Sequence, residues 1–318
     1  MGGYATKAHS GHNTQPWKFI ISKSSIEIHP DFFQALPVVD AGNRELYISI
    51  GCAAENLIIA ASESGYESSF SIQIDVNNHT YIKIDLNKGK CLSSPLFEQI
   101  ERRQTNRRVY NKRMITQDTI SLLKSVFGEE DTKVRFYKNG SPDFLVLANL
   151  ISEGNTVQMS DEAFKAELLS WIRYNKSQKD KLRNGLTHEV MGTPSTPAFI
   201  GKPIVRTFLK PEKQNKTNIE KIISSSHMIL FCLEQNNPEN WILLGRRLEL
   251  FLLATAWLGI ANAYLNQPCE VENIAAVLPS KLNLGNEIPV LLLRIGYAEP
   301  IPFAPRKEIN DVIEFKNN

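Results

Sequence analysis

Apolar and polar positions are arranged along this chain in three ways: alternating by two, at helical spacing, and as continuous apolar runs. "WKFIIS" and "IEIHP" are rich in aromatic and β-branched residues and read as a pair of strands. "SFSIQID" and "TYIKIDL" alternate on either side of the turn-like "VNNH" and read as a second pair. Between the two pairs the period lengthens. From Arg44 to Ser64, residues Leu46, Ile50, Leu57, Ile58 and Ala61 share one helical face, and Gly65 follows as a stop.

The second half begins with a charged helix, Leu96 to Arg103, running into "RRQTNRRVYNKR". Thr116, Gln117 and Asp118 announce a helix that reaches about Phe127. "KVRFYK" reads as a strand, and "SPDF" opens a helix with Ser141 as cap and Pro142 at the first position. Then come the strand "HMILFCLE", the helix "WILLGRRLELFLLATAWLGIANAYL" and the strand "PVLLLRIGY", with Trp241 and Trp257 expected in the core. Residues from about 160 to 216 break this order. The helix "EAFKAELLSWIRY" leads to a polar stretch and then "GLTHEVMGTPSTPAFIGKP", rich in Gly, Pro and Thr yet holding Met191, Phe199 and Ile200. A long loop with its own apolar residues reads as a lid or arm.

The two helical patterns resemble one another. Aligned without gaps, "GCAAENLIIAASESGY" and "GRRLELFLLATAWLGI" match Gly51 with Gly245, Glu55 with Glu249, Ala60 with Ala254 and Gly65 with Gly259. Any two amphipathic helices share some positions, but here the flanking order of strands agrees as well. The chain therefore reads as two copies of one α+β unit, each offering an apolar central helix to a shared interface, as a dimer would. The first lobe is expected over 1–95 and the second over 96–318. At the start, "YATKA" is too short to be a stable helix alone, so an upstream helix is expected to be missing.

Composition adds mainly exclusions. A net charge of +2 gives no reason to expect nucleic acid or an anionic membrane as partner, although a local cluster of cations is still compatible with a phosphate. The longest apolar stretch, Leu250 to Ala261, falls short of the roughly 20 residues a bilayer needs. Cys52, Cys91, Cys232 and Cys269 form no CxxC pair, so buried thiols in a reducing, cytoplasmic setting are expected and a zinc site is not. There is no secretory leader pattern, and the chain has no GxGxxG, GxxxxGK[ST], GxSxG or HExxH, His188-Glu189 lacking the second histidine.

Two short stretches carry chemistry. In "RRQTNRR", an extended backbone would point Arg103, Thr105 and Arg107 the same way, which suits a phosphate; the alternative is a solvated charged surface. "PFAPRKE" adds Arg306 and Lys307 behind two stiffening prolines. In "SGHNTQPWKF", the hydroxyl of Ser10, the imidazole of His12 and the amides of Asn13 and Gln15 are able to read the edge of a polar heterocycle. They equally suit a capped turn in which Ser10 and Asn13 bond their own backbone.

Together with "NRELYISIGCAAENLIIAASESGY", "NWILLGRRLELFLLATAWLGIANAYLNQP" and "PVLLLRIGYAEPIPFAPRKE", these stretches give a chain that resembles the nitroreductase-like FMN oxidoreductases, and within them the single-chain, two-lobed Acg-type subgroup. The resemblance covers nearly the whole chain. It implies an α+β fold of two pseudo-repeated lobes with an inserted lid. It implies FMN at the interface, its phosphate held by Arg103, Thr105 and Arg107 with Arg306 or Lys307, its ring faced by Ser10, His12, Asn13 and Gln15, and Asn266 and Gln267 near flavin N5. The SxxNxQPW element occurs only in the first lobe and RxTxR only in the second, so one FMN per chain is expected.

The implied activity is hydride transfer from NADPH or NADH to flavin N5 and on to a small acceptor such as a nitroaromatic or a quinone. His12 is a candidate proton donor, or simply a ring-edge hydrogen-bond donor. The rival is a flavin-storing protein whose lid prevents turnover, with Trp171, Arg173, His188 and Met191 as the deciding lid residues; a scaffold without cofactor is the third possibility.

Overall fold

Two sheets, one mixed and one antiparallel, flank a pair of long central helices, Arg44–Glu63 and Pro238–Trp257, in the computed structural model, which describes residues 1–127 and 133–316. The first sheet runs in the order Ile313–Phe315, Trp17–Ile21, Ser25–Pro30, Thr80–Lys88, Tyr66–Ile74. Its register is set by alternation, for example Phe19 opposite Ile28 and Ile28 opposite Ile82. The second sheet runs Lys133–Lys138, His227–Leu233, Ile288–Gly296, Ala261–Tyr264.

The apolar run His227–Leu233 is buried on both faces, which explains why it carries no polar alternation. Ile229, Phe231 and Leu233 face the central helices, while Met228, Leu230 and Cys232 face Phe144, Leu147 and Ile151 of the helix Pro142–Ser160. Ser141 caps that helix, its hydroxyl accepting from the Phe144 N–H at 3.3 Å, with Pro142 in the first turn. The largest core cluster joins both sheets through the central helices, with Ile50 and Leu57 from one and Leu248 and Phe251 from the other fully enclosed.

Several sequence expectations shift. The predicted helix ending at Leu265 stops at Trp257. Gly259 turns the chain at φ +65°, and "ANAY" becomes the strand Ala261–Tyr264. Trp241 is buried as expected, but Trp257 is half exposed. The charged helix shrinks to the single turn Gln99–Arg102, and the N-terminal segment forms one turn, Gly2–Ala5, against the first central helix.

The end of the chain also departs from the two-lobe division. Ile313–Phe315 pairs in parallel with Trp17–Ile21, so the tail of the second segment completes the first sheet. Residues 160–216 are largely helical rather than a loop, with helices Glu162–Ser170, Lys176–Leu182, Ala198–Phe208 and Pro211–Ile223 around a small core of their own, including Phe164, Leu169, Tyr174 and Leu209. Here many apolar side chains sit at helical spacing, and their burial outweighs the breaker residues between them.

Candidate functional site

Residues 103–110 leave the turn Gln99–Arg102 through an extended Arg103, outside any helix, and are held from behind. Thr105 bridges Asn262 in parallel pairing, and the Asn106 N–H donates to the Asn262 carbonyl at 2.8 Å. The fully buried Arg294 donates to the Arg108 carbonyl at 2.7 Å and lies 3.9 Å over the Tyr110 ring. This fixed edge aims Arg103, Thr105 and Arg107 into one small cavity of about 60 Å³, whose other walls include Asn13 and Arg306.

Three guanidiniums line that cavity, and one carboxylate, Glu249, lies behind Arg103. Arg103 Nε lies 3.2 Å from Glu249 Oε1, both side chains almost fully enclosed, and Arg103 also donates to the Lys7 carbonyl at 2.8 Å. Arg306 donates to the Asn13 side-chain oxygen and to the Lys7 and Ala8 carbonyls, at 3.1 and 3.3 Å, while its Nε is buried without a partner. Burial and the neighbouring Arg103 push Arg306 down to about 9. Arg107 has neither a carboxylate nor a carbonyl partner among the described residues, and burial lowers it too. Buried cations in excess of anions call for an added anion.

A larger cavity of about 250 Å³ adjoins the small one, sharing His9, Arg107 and Leu186 on its wall. Glu45 and Ile48 of the first central helix, Tyr264, Asn266, Gln267 and Glu270, and Phe164 and Leu168 of the insert are among its other walls. Polar groups here are partly unspent. Gln267 Oε1 and the Tyr264 hydroxyl are buried with no hydrogen-bond partner, and the His9 and Tyr264 rings stack at 4.3 Å. Asn266 is committed, donating to Glu45 Oε1 at 2.7 Å and accepting from the Leu292 N–H at 3.0 Å. Gln158 donates to Glu270 Oε2 at 2.6 Å.

Glu45 is held well above the usual carboxylate range, by burial first and then by the neighbouring Glu270 and Asp40. Asp40, whose oxygen accepts from the Leu46 N–H at 3.0 Å, is itself pushed up to about 6 by burial. His9 is driven well down by burial and by Arg103, Arg107 and Arg306. His12 falls to about 4 through burial and Arg107. Both imidazoles are therefore neutral near pH 7.

The stretch "SGHNTQPW" turns out to be a clasp as well as a wall. His12, Asn13 and Gln15 all sit at positive φ, 48°, 56° and 55°, a costly conformation for residues with a Cβ. Side-chain bonds sustain it. Ser10 Oγ accepts from the Gln15 N–H at 3.1 Å, which is the capped-turn alternative. Asn13 reaches instead to the Gly185 and Pro305 carbonyls, at 3.3 and 3.0 Å. Gln15 donates to the Arg183 carbonyl and accepts from the Lys307 N–H, both at 2.8 Å.

Placed on the structure, the sequence candidates divide. Arg103, Thr105, Arg107, Arg306, Ser10 and Asn13 line the small cavity, and His12, Asn266 and Gln267 line the large one. Gln15 and Lys307 line neither. Gln15 is fully buried between the insert and the tail, and the Lys307 ammonium donates to the Gln15 carbonyl at 3.3 Å. Trp171, Arg173, His188 and Met191 also border neither cavity; the insert meets them through Phe164, Leu168, Gly185, Leu186 and Val190. Sequence reasoning missed His9, Glu45, Tyr264, Glu270 and the cation-pairing role of Glu249. For Glu249 a signal existed, its match to Glu55 in the repeat. For Gly11 the signal is steric, because a Cβ there would lie 3.1 Å from Glu45 Oε2.

No family model matches the chain. Comparison of whole sequences does find relatives. A Mycobacterium tuberculosis protein (strain H37Rv) provisionally named NAD(P)H nitroreductase Rv3131 is 23% identical over 319 residues, spanning 98% of this chain and 89% of that one. The protein of the same strain provisionally named NAD(P)H nitroreductase acg is 21% identical over 325 residues, spanning 98% and 93%. Over nearly all of its length this chain is similar to the Acg-type nitroreductase-like proteins. Among solved structures, the FMN- and NADPH-dependent nitroreductase NfnB from Sphigopyxis sp. strain HMH covers 70% of this chain and 99% of its own, with 14% identity and a TM-score of 0.47. A nitroreductase-like family protein from Bacillus cereus covers 71% and 98%, with 11% identity and a TM-score of 0.43.

Proposed function

We propose that this Acg-type relative binds one FMN between its lobes and works as an NAD(P)H-dependent oxidoreductase on a small acceptor such as a nitroaromatic or a quinone, with the single chain serving as its own pseudo-dimer. The observation that carries this reading is the pair of joined cavities: a small one with surplus guanidinium charge and a larger one of mixed polar and apolar wall in which some buried polar groups are unspent. The fit to the cofactor rests on orphaned groups. Arg107 without a partner and the free Nε of Arg306 suit a phosphate, and the unpaired Gln267 oxygen suits a ring N–H. The names of the relatives agree with this assignment. The buried thiols of Cys52, Cys232 and Cys269 favour a cytoplasmic setting.

Bound FMN would supply two-electron transfer between the nicotinamide donor and the acceptor. The chain's own groups would do the rest. Arg107, Thr105 and Arg306 hold the phosphate, with Arg103 kept in place by Glu249. Neutral His12 offers one N–H without adding charge. The Glu45 carboxyl, whose hold on its proton is strengthened by burial and by the neighbouring Glu270, sits on the wall of the larger cavity. Phe164, Leu168 and Leu186 exclude water.

A second reading, flavin storage under a closed insert, is favoured by the clasp. Asn13, Gln15 and the Arg183–Glu308 pair at 2.7 Å tie the insert to both ends of the chain. Reconstitution with FMN followed by anaerobic addition of NADPH or NADH separates the two. Bleaching of the bound flavin absorbance supports the oxidoreductase. A bound flavin that neither donor bleaches supports storage, and failure to bind FMN at all overturns both.

A further inference from the structure

The helix Ala198–Phe208 carries large apolar side chains that the fold leaves uncovered. Phe199 is 79% exposed and Phe208 53%, with Ile200 and Ile204 exposed between them. At about 100° per residue these four, with Pro203 and Thr207, sweep half the helix circumference. The opposite half, Gly201, Val205 and Leu209, is turned inward, Val205 and Leu209 packing in the insert core with Phe164. Burial inside the chain therefore accounts for only one face of this helix. The other is a contiguous apolar surface of the kind that marks an interaction site.

Charge identifies what it fits. From Val190 to Pro211 there is no Asp or Glu, while Lys202, Arg206 and Lys210 lie along one border of the apolar face. Arg206 is paired at its exposed tip with Glu162, at 3.0 Å, and Lys202 and Lys210 are solvent-facing. Aromatic and branched residues on one side with cations at the border is the pattern of a helix lying in a lipid interface, where apolar burial and attraction to anionic headgroups add. No described helix is long and apolar enough to cross a membrane, so the contact is with the surface.

We infer that the outer face of the helix Ala198–Phe208 seats on an anionic lipid surface. The apolar side chains enter the headgroup boundary, and Lys202 and Lys210 meet the lipid charges. Phe164, which packs on the inner side of the same insert, is also a wall of the larger cavity, so the seated helix and that cavity are joined through the insert core. The inference is independent of the flavin reading.

Co-sedimentation of the full chain with vesicles tests it. Vesicles of phosphatidylcholine alone are compared with vesicles in which part of the lipid is phosphatidylglycerol. The expected result is at least tenfold stronger partition onto the anionic vesicles. Raising salt to about 1 M, where the screening length shrinks to about 3 Å, should weaken it. Phe199→Ser with Phe208→Ser should abolish partition, and Lys202→Glu with Lys210→Glu should remove the preference for anionic lipid. All four side chains are exposed, and Phe208 gives up only a surface contact with Lys213 Nζ at 4.7 Å, so thermal melting of both variants should stay close to the parent. No partition of the parent, or partition unchanged in both variants, overturns the inference. So does a parent that is dimeric in sedimentation, ignores vesicles and becomes monomeric in the phenylalanine variant, which would assign the face to a second copy.

Discussion

Gly51 and Gly245 meet where the two central helices cross. A Cβ built on either would lie 3.0 Å from the other's Cα, at 2.2 Å from the Ile242 carbonyl in one case and 2.1 Å from the Ile48 carbonyl in the other. The contacts are reciprocal: Ile48 is to Ile242 what Gly51 is to Gly245 in the gapless repeat, and residue and counterpart touch as in an isologous dimer interface. The Cys52 thiol donates to the Gly245 carbonyl at 3.1 Å, sealing the crossing.

Either Gly51→Ala or Gly245→Ala should therefore drive the helices apart. Overpacking typically costs about 1–3 kcal/mol, and here the obstacle is backbone carbonyl rather than a side chain that can rotate, so about 3 kcal/mol or more is expected. Urea denaturation reads this directly. Parental stability in both variants would mean that the crossing is looser than its geometry indicates.

The cations of the small cavity should separate by role. Arg103→Ala leaves Glu249 buried without its partner and should destabilise the fold by about 3–5 kcal/mol. Glu249 is already raised by burial, so the loss should be smaller at pH 5, where the stranded carboxyl takes up a proton, than at pH 8. Arg107→Ala removes no partner and should leave the melting temperature close to parental. It should still weaken FMN binding by about 1.5–3 kcal/mol, roughly 10- to 100-fold in Kd. Melting curves and flavin titration check the two halves. Unchanged FMN affinity in Arg107→Ala would place the phosphate elsewhere.

The carboxyls beside the larger cavity give a pH signature. Glu45 has its folded pKa raised above the unfolded value of about 4.3. The folded chain thus keeps a proton that the unfolded chain releases, and this group's contribution falls as pH rises above that value. Asp40, pushed up to about 6, acts with the same sign. His9 and His12, both lowered, act oppositely, favouring the fold as pH rises toward the unfolded value of about 6.5. Comparing Glu45→Gln with the parent cancels the histidines. The variant should gain stability relative to the parent between pH 4 and pH 8, and urea midpoints across that range would show it. A flat difference would mean Glu45 is ionised in the folded chain.

Local pattern exposed much of this. The first four strands, the first central helix and the cap Ser141 were legible because alternation and capping are short-range signals. The repeat was legible because Gly51 and Gly245 obey one steric demand twice. The strand Ala261–Tyr264 was hidden because "ANAY" continues an apolar helix and only Gly259 marks the turn. The strand Ile313–Phe315 was hidden because three residues become a strand only beside Trp17–Ile21. At the site, the arginines announced themselves by spacing. Glu45, Glu270 and Tyr264 did not, since single residues far apart in sequence meet only through the fold. Gln15 lies off both cavities for a physical reason: its buried side chain bonds the Arg183 carbonyl and the Lys307 N–H instead.

Gln15 is the keystone of the clasp over the small cavity, and its removal should be felt in dynamics more than in the core. Gln15→Ala loses a buried bond to the Arg183 carbonyl and another from the Lys307 N–H, and should cost about 1–3 kcal/mol. Both bonds join the insert or the tail to the N-terminal stretch, so the loss falls on local opening of residues 183–193 rather than on global unfolding. Arg183→Ala removes a half-exposed pair with Glu308 and a bond to the Arg306 carbonyl, and should matter less. Limited proteolysis should nick Gln15→Ala within that segment at least tenfold faster than the parent, with Arg183→Ala in between. FMN release, followed by fluorescence, should accelerate in the same order. If the nicking rates rise but FMN release does not, the clasp closes the surface without gating the cavity.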